Sequence, residues 1–287
     1  METNNMVPYG YRMTELGLLP EEWEVVNLKN LNSEKKVNLN PADYPNEIFE
    51  YYSIPSYQDF RKPTLEKGIS ILSQKIILKN EAVLFGKLNP RVEKVWIVRS
   101  DLKYRKIGST EWIPIFPDNE KVDSDYLYYA EWSKYVMNIA KTLVTGSTPS
   151  RQRVDLTSFY EITIPLPPLP EQKKMGGVLG AVQNAKEKTE EVIKAAKELK
   201  KSMMKHLFTY GPVSSEEAEK IKTKETEFGH QPTEWNQYNL GHIARVRGGY
   251  GFPHRYQGKK TGKYPFFKVS DMNTPGNEIF MKKESTF

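Results

Sequence analysis

The stretch IPLPPLPEQKKMGGVLGAVQNAKEKTEEVIKAAKELKKSMMKHLFTYGP occupies residues 164–212 and contains two kinds of structure in sequence. Alternating prolines first predict an extended joint, because each ring fixes φ and removes a backbone donor. A helix follows: Pro170 is tolerated in the first turn, Glu171 sits at the positive end of the dipole, and Gly211-Pro212 ends the element. About 40 residues at 1.5 Å each make a rod of roughly 60 Å. Its apolar positions recur at spacings of three and four: Met175, Val178, Val182, Ala185, Thr189, Val192, Ala196, Leu199 and Met203, widened by Leu179, Ile193 and Leu207. Such a stripe needs an apolar partner, most economically a second helix packed as a coiled coil. The alternative, a core helix of one domain, is disfavoured by length. PLPPLP at 165–170 also has the form of a PxxP ligand, but between a strand and a helix it reads as a rigid joint.

The segments on either side of the rod are related. Residues 14–23 read TELGLLPEEW and residues 226–235 read TEFGHQPTEW, and the register continues to Asn27-Leu28 and Asn239-Leu240. The copies lie about 200 residues apart, too far for a solenoid and right for duplicated modules of domain size. The second copy starts close enough to Phe287 that only part of a module follows it. In the first module, EWEVVNL, IFEYYSIP, ISILSQKIIL, EAVLFGKL, KVWIVRS, EWIPIFP and EITIPLP are short apolar or alternating runs broken by Pro, Gly and Asn, which predicts strands. Residues 123–144 predict one helix, capped by Asp123 or Ser124. The expected fold class is α+β: a globular mixed α/β domain at 1–165, the long coiled-coil-type helix at 166–211, a linker at 212–225 and the start of a similar domain at 226–287.

The composition restricts the function. The chain has 287 residues, 38% of them hydrophobic, which is enough for a core. Net charge is +6 with pI near 9.1, which suits an anionic partner such as nucleic acid. No cysteine is present, so disulfide frameworks and thiolate chemistry are excluded, in keeping with a reducing cytoplasm. No secretory leader or membrane-spanning run is evident, and a cytoplasmic protein without membrane contact is expected.

Catalytic motifs are missing. No phosphate loop, G-x-G-x-x-G, H-E-x-x-H or G-x-S-x-G occurs. Gly249-Tyr250-Gly251 reads as a turn, and Pro117-Asp118 as another. His206, His230, His242 and His254 lack carboxylates at ligand spacing, so no metal is expected. Two loops carry binding chemistry instead. FGKLNPRVEK at 85–94 places Lys87, Asn89, Arg91 and Lys94 around a proline turn. TGSTPSRQR at 145–153 gathers Thr145, Gly146, Ser147, Thr148, Ser150, Arg151, Gln152 and Arg153. Hydroxyls and amides suit phosphate oxygens, while Arg, Lys, Asn and Gln read guanine or adenine edges. The competing reading is two solvated surface loops.

The IPLPPLPEQKK segment, the Glu/Lys-rich helix after it, the duplicated G-x-x-P-x-E-W start and YPFFKVSDMN at 264–273 together resemble the specificity subunit of Type I restriction-modification enzymes. The resemblance implies two target-recognition domains, each reading half of a split site in double-stranded DNA. It also implies two helical regions that pack antiparallel, set the half-site spacing and dock the modification (methyltransferase) subunits, with restriction/translocase subunits completing the complex. S-adenosylmethionine and ATP are then bound by those partners and no cofactor by this chain, which is non-catalytic. Against that pattern, the second recognition domain is cut short and a second helical region is missing. Two alternatives follow: a half-length chain that restores two recognition domains by homodimerising through its helix, or an inactive truncated fragment. A self-contained nuclease or methyltransferase is disfavoured because no N-P-P-Y-like or cofactor motif is present.

Overall fold

The structure is a computed structural model that describes residues 7–245, 247–248, 251, 253, 264–277 and 280–282. The chain divides into two compact units, Met1–Lys197 and Glu198–Phe287.

The first unit opens with a hairpin of β1 (Tyr11–Thr14) and β2 (Gly17–Pro20), then β3 (Glu24–Asn27), β4 (Asn38–Leu39) and β5 (Ile48–Tyr52). A short helix α1 (Ile54–Asp59) follows, capped at Ser53, before β6 (Thr64–Lys67), β7 (Lys75–Ile77), β8 (Val83–Gly86), β9 (Val95–Ile97), β10 (Arg105–Ser109) and β11 (Trp112–Ile115). Helices α2 (Ser124–Glu131) and α3 (Lys134–Thr142) come next, then β12 (Val144–Thr145), β13 (Arg153–Val154), α4 (Leu156–Tyr160), β14 (Thr163–Leu166) and α5 (Leu169–Tyr210). A five-stranded sheet has the order β4-β7-β10-β5-β6, parallel only between β10 and β5, and a three-stranded antiparallel sheet has the order β11-β8-β9.

The three-stranded sheet is the middle layer. Val83, Phe85, Val95, Ile113 and Ile115 point to one side, against Leu127, Val136, Met137 and Phe159 from α2, α3 and α4. Leu84, Trp96 and Trp112 point to the other, against Tyr52, Tyr57 and Ile76. Burial on both faces explains why these strands read as near-continuous apolar runs rather than alternating ones.

Two expectations need correction. The helix expected over 123–144 is two helices: α2 is capped by the Asp123 carboxylate accepting from Tyr126 N at 3.0 Å, and a new start is made at Ser133, whose hydroxyl accepts from Val136 N at 3.2 Å. A second N-cap inside an apolar stripe lets α3 turn away while both helices keep an apolar face on the core. ISILSQKIIL is not one strand. Its first residues lie in a 3-10 turn at Gly68–Ser70, Leu72 is 91% exposed, and only Lys75–Ile77 pairs in a sheet.

Glu131, at the end of α2, is fully buried, and neither carboxyl oxygen has a hydrogen-bond partner. Burial raises its pKa well above the ordinary value of 4.5. Below that value both folded and unfolded chains hold the proton. Above it the unfolded chain ionises first, so this residue's contribution falls with pH, by up to about 1.4 kcal/mol per pH unit, until the folded group titrates. Urea unfolding from about pH 4 to pH 7 should therefore show a stability difference between Glu131→Gln and the parent that grows with pH in favour of the variant. Parallel pH profiles would mean that the carboxyl is hydrated.

In the second unit, α6 (Ser215–Ala218), β15 (Thr223–Thr226), β16 (Gly229–Pro232) and α7 (Leu240–Ile243) are described. The sequence repeat is a repeat of turn chemistry. Thr14 Oγ1 donates to Gly17 O at 2.8 Å and accepts from Leu16 N at 3.1 Å; Thr226 Oγ1 donates to Gly229 O at 2.7 Å and accepts from Phe228 N at 3.2 Å. Gly17 and Gly229 have φ of +98° and +95°, a conformation costly for other residues. Segment 264–273 ends in a 3-10 turn, Val269–Asn273. Gly249, Tyr250 and His254 lie outside the described residues.

Candidate nucleic-acid interface

The two loops singled out in the sequence, more than 50 residues apart, are stitched into one surface. Val154 N donates to Lys87 O at 3.0 Å, Asn89 N donates to Gln152 O at 2.8 Å, and Leu88 pairs with Arg153 in an isolated bridge. In the first loop Asn89 takes the left-handed conformation, φ +49°, and its carbonyl accepts from Val92 N at 3.0 Å to close the turn. Lys94 does not belong to the exposed surface. It is 3% exposed, and its ammonium donates to Asn89 O at 3.2 Å and Val92 O at 2.5 Å. It holds the turn from beneath, and burial lowers its pKa.

The second loop starts from the β12–β13 pair, in which Thr145 opposes Arg153. Gly146, at φ +105°, reverses the chain; its carbonyl accepts from Gln152 Nε2 at 3.4 Å, and Arg151 N donates to Thr148 O at 2.8 Å. Thr145, Gly146, Ser147, Thr148, Ser150, Arg151 and Arg153 are exposed, Gln152 half-buried.

The cations differ in how they are held. Arg153 is paired with Glu111, which follows β10: Nε lies 3.1 Å from both carboxylate oxygens and Nη2 2.9 Å from one. Lys87 donates to Thr110 O at 3.0 Å and lies 4.0 Å from the same carboxylate. Among the described residues Arg91 and Arg151 have no carboxylate partner, and both are exposed. The result is a surface of hydroxyls, loop amides, two unpaired guanidiniums and one held guanidinium, suited to an anionic ligand with readable edges. Glu111 was missed in the sequence because a single acidic residue in a strand turn carries no signal until its partners are placed. Among the described residues no group of three or more His, Asp or Glu side chains is arranged to hold a metal ion. His206 contacts Val213 O at 2.8 Å, and His230 and His242 lie on β16 and α7.

The joint before α5 relies on Gln172. This residue is 1% exposed; its oxygen accepts from Asp123 N at 2.9 Å, and its amide donates to Lys121 O at 3.1 Å and Pro167 O at 2.7 Å. Gly176 lies against α2, where an added Cβ would come 2.8 Å from Asp125 Cβ. Trp23 Nε1 donates to Glu171 at 3.1 Å. Prolines thus aim α5, and Gln172 and Gly176 fix it in place. The helix is 42 residues long, begins one residue before Pro170 and stops at Gly211 with φ +83°. Of the stripe residues, Met175 is half-buried against the core rather than free. Val178, Leu179, Val182, Val192, Ile193, Leu199, Met203 and Leu207 are 41–67% exposed, and Ala196 is exposed with them. Leu179 also borders an apolar groove of about 370 Å³ floored by Leu19, Trp23, Tyr126 and Met175.

A family model described as "Type I restriction modification DNA specificity domain" matches residues 20–198, more than half of the chain. The chain belongs to this specificity family. Relatives in Methanocaldococcus jannaschii agree: the Type I restriction enzyme MjaVIII specificity subunit is 26% identical over 231 residues, covering 80% of this chain and 51% of the relative. The putative MjaX specificity subunit is 27% identical over 241 residues, covering 80% and 55%. The chain therefore spans about half the length of these curated specificity subunits. The crystal structure of the HsdS subunit from Thermoanaerobacter tengcongensis shares the fold, with a TM-score of 0.53 at 21% identity over 88% of this chain and 63% of that one. The S subunit from M. genitalium does so with a TM-score of 0.51 at 16% identity, over 85% and 59%. No helix among the described residues of this specificity-family chain is long and apolar enough to cross a membrane.

Proposed function

We propose that this chain is a sequence-specific DNA-recognition subunit of a Type I restriction-modification system. In this reading it is non-catalytic, works in the cytoplasm, and directs modification and restriction/translocase subunits to a split site in double-stranded DNA. S-adenosylmethionine and ATP are bound by those partners. The observation that carries the reading is the joining of residues 87–91 and 145–153 into one basic, hydroxyl-rich face within a chain of the specificity family. The exposed α5 stripe is the surface offered to partner helices. That same stripe supports a second reading, in which two copies of the chain pair through α5 and present two recognition domains together.

The unpaired arginines give the test. Arg151→Ala, and likewise Arg91→Ala, should weaken binding to the preferred duplex by about 1–3 kcal/mol if the residue reads a base, with relaxed preference at one position. If the residue instead contacts phosphate, affinity for all sequences should fall together and the salt slope should drop by about one. Binding selection from a random duplex library at two salt concentrations separates these outcomes. Unchanged binding by both variants and by Arg153→Ala would sink the assignment.

A further inference from the structure

We propose that Glu111 is a positioning residue for DNA reading: its carboxylate fixes the direction in which Arg153 presents its guanidinium. This rests on the DNA-recognition role proposed above. The carboxylate occupies the side edge of the guanidinium, Nε and Nη2. On the end edge Nη1 donates one long hydrogen bond to Arg151 O at 3.4 Å, and the second hydrogen of Nη2 has no partner among the described residues. With the side edge held by Glu111, the end-on donors are those left to reach guanine O6 and N7, at the cost of the long bond to Arg151 O. Both halves of the pair are anchored through backbone. Lys87 N donates to Glu111 O at 2.8 Å, and Arg153 is bridged to Leu88, so neither can drift without opening the β8–β11 end. A side chain held in its reading rotamer before contact loses less freedom on binding.

Glu111 also acts on the wrong sequences. It offsets the charge of Arg153 and lies 4.0 Å from Lys87, which lowers the cationic field available to phosphates of any sequence. Positioning therefore predicts two effects of opposite sign when Glu111 is removed.

The test uses the full chain with a modification subunit of its own system and a randomised duplex library, comparing Glu111→Ala, Glu111→Gln, Arg153→Ala and the Glu111→Ala/Arg153→Ala double variant. Either Glu111 variant should reduce discrimination for guanine at one position roughly tenfold or more, and binding to unrelated duplex should tighten with a salt slope steeper by about one. The double variant should discriminate no worse than Arg153→Ala alone. Additive losses would mean that Glu111 meets DNA itself. Equal weakening on all sequences with a lowered melting temperature would mean that it only braces the loop. Either result overturns the inference. If Arg153→Ala relaxes specificity and Glu111→Gln does not, the inference falls and the recognition role stands. If Arg91→Ala, Arg151→Ala and Arg153→Ala all leave DNA binding unchanged, both fall.

Discussion

Trp112→Ala should lower the unfolding free energy of the first unit by about 3–5 kcal/mol, the largest single-residue effect expected in this fold. The indole is 1% exposed and lies between Tyr57 and Trp96, with ring centroids at 5.6 and 6.1 Å. Its Nε1 donates to Tyr52 O at 2.9 Å, across from the three-stranded to the five-stranded sheet. Truncation leaves both a cavity and a buried carbonyl without its donor, and the two penalties add. Trp112→Phe keeps most of the ring contact but loses the hydrogen bond, so it should cost about 2 kcal/mol. Because Trp112 follows Glu111 directly, DNA binding should fall with stability in the alanine variant. Urea unfolding followed by tryptophan fluorescence measures the first effect. A loss below about 1 kcal/mol would place the stability of this unit elsewhere than between its two sheets.

The Ile193→Asp/Leu199→Asp double variant should behave in the opposite way. Both side chains are on α5, 47% and 61% exposed, so their replacement should leave the unfolding midpoint of the recognition unit nearly unchanged. Assembly should suffer strongly. Two carboxylates placed in an apolar helix seam must be desolvated without partners, and pairing should weaken by a hundredfold or more, about 3 kcal/mol or above. Light scattering on the chain alone and with a modification subunit reads this directly. Loss of self-association alone favours the homodimer reading, loss of the modification subunit favours docking, and an unchanged assembly removes the α5 stripe from the interface.

The features most legible in the sequence are those written in local chemistry. α5 could be read from its prolines, its spacing and its terminal Gly-Pro, and the relation of the two modules from their repeated Thr, Gly, Pro and Trp, but not the hairpins that the Thr and Gly build. The loops at 85–94 and 145–153 were legible as candidate binding segments, but their joining was not. It depends on backbone hydrogen bonds between residues distant in the chain, which leave no periodic trace. β10 escaped notice because Arg105–Ser109 is polar at most positions, yet it sits between two neighbours in the five-stranded sheet. Lys94 was misread for a related reason. A lysine beside a proline turn looks solvated until the turn's own carbonyls are seen to surround its ammonium. Gln172 stands inside the proline-rich motif, but its role emerges only when three separate backbone groups converge on it.

The two loops proposed to read DNA are tied to each other by main-chain atoms, Val154 N to Lys87 O and Asn89 N to Gln152 O, while the side chains at Ser147, Thr148, Ser150 and Arg151 are exposed. Natural variation can therefore replace those side chains almost freely, since a backbone hydrogen bond is indifferent to the residue that makes it. Such exchanges need not unfold the domain. For loops that read DNA as proposed, the physical barrier to a new specificity then lies in the fit to DNA and not in the stability of the protein.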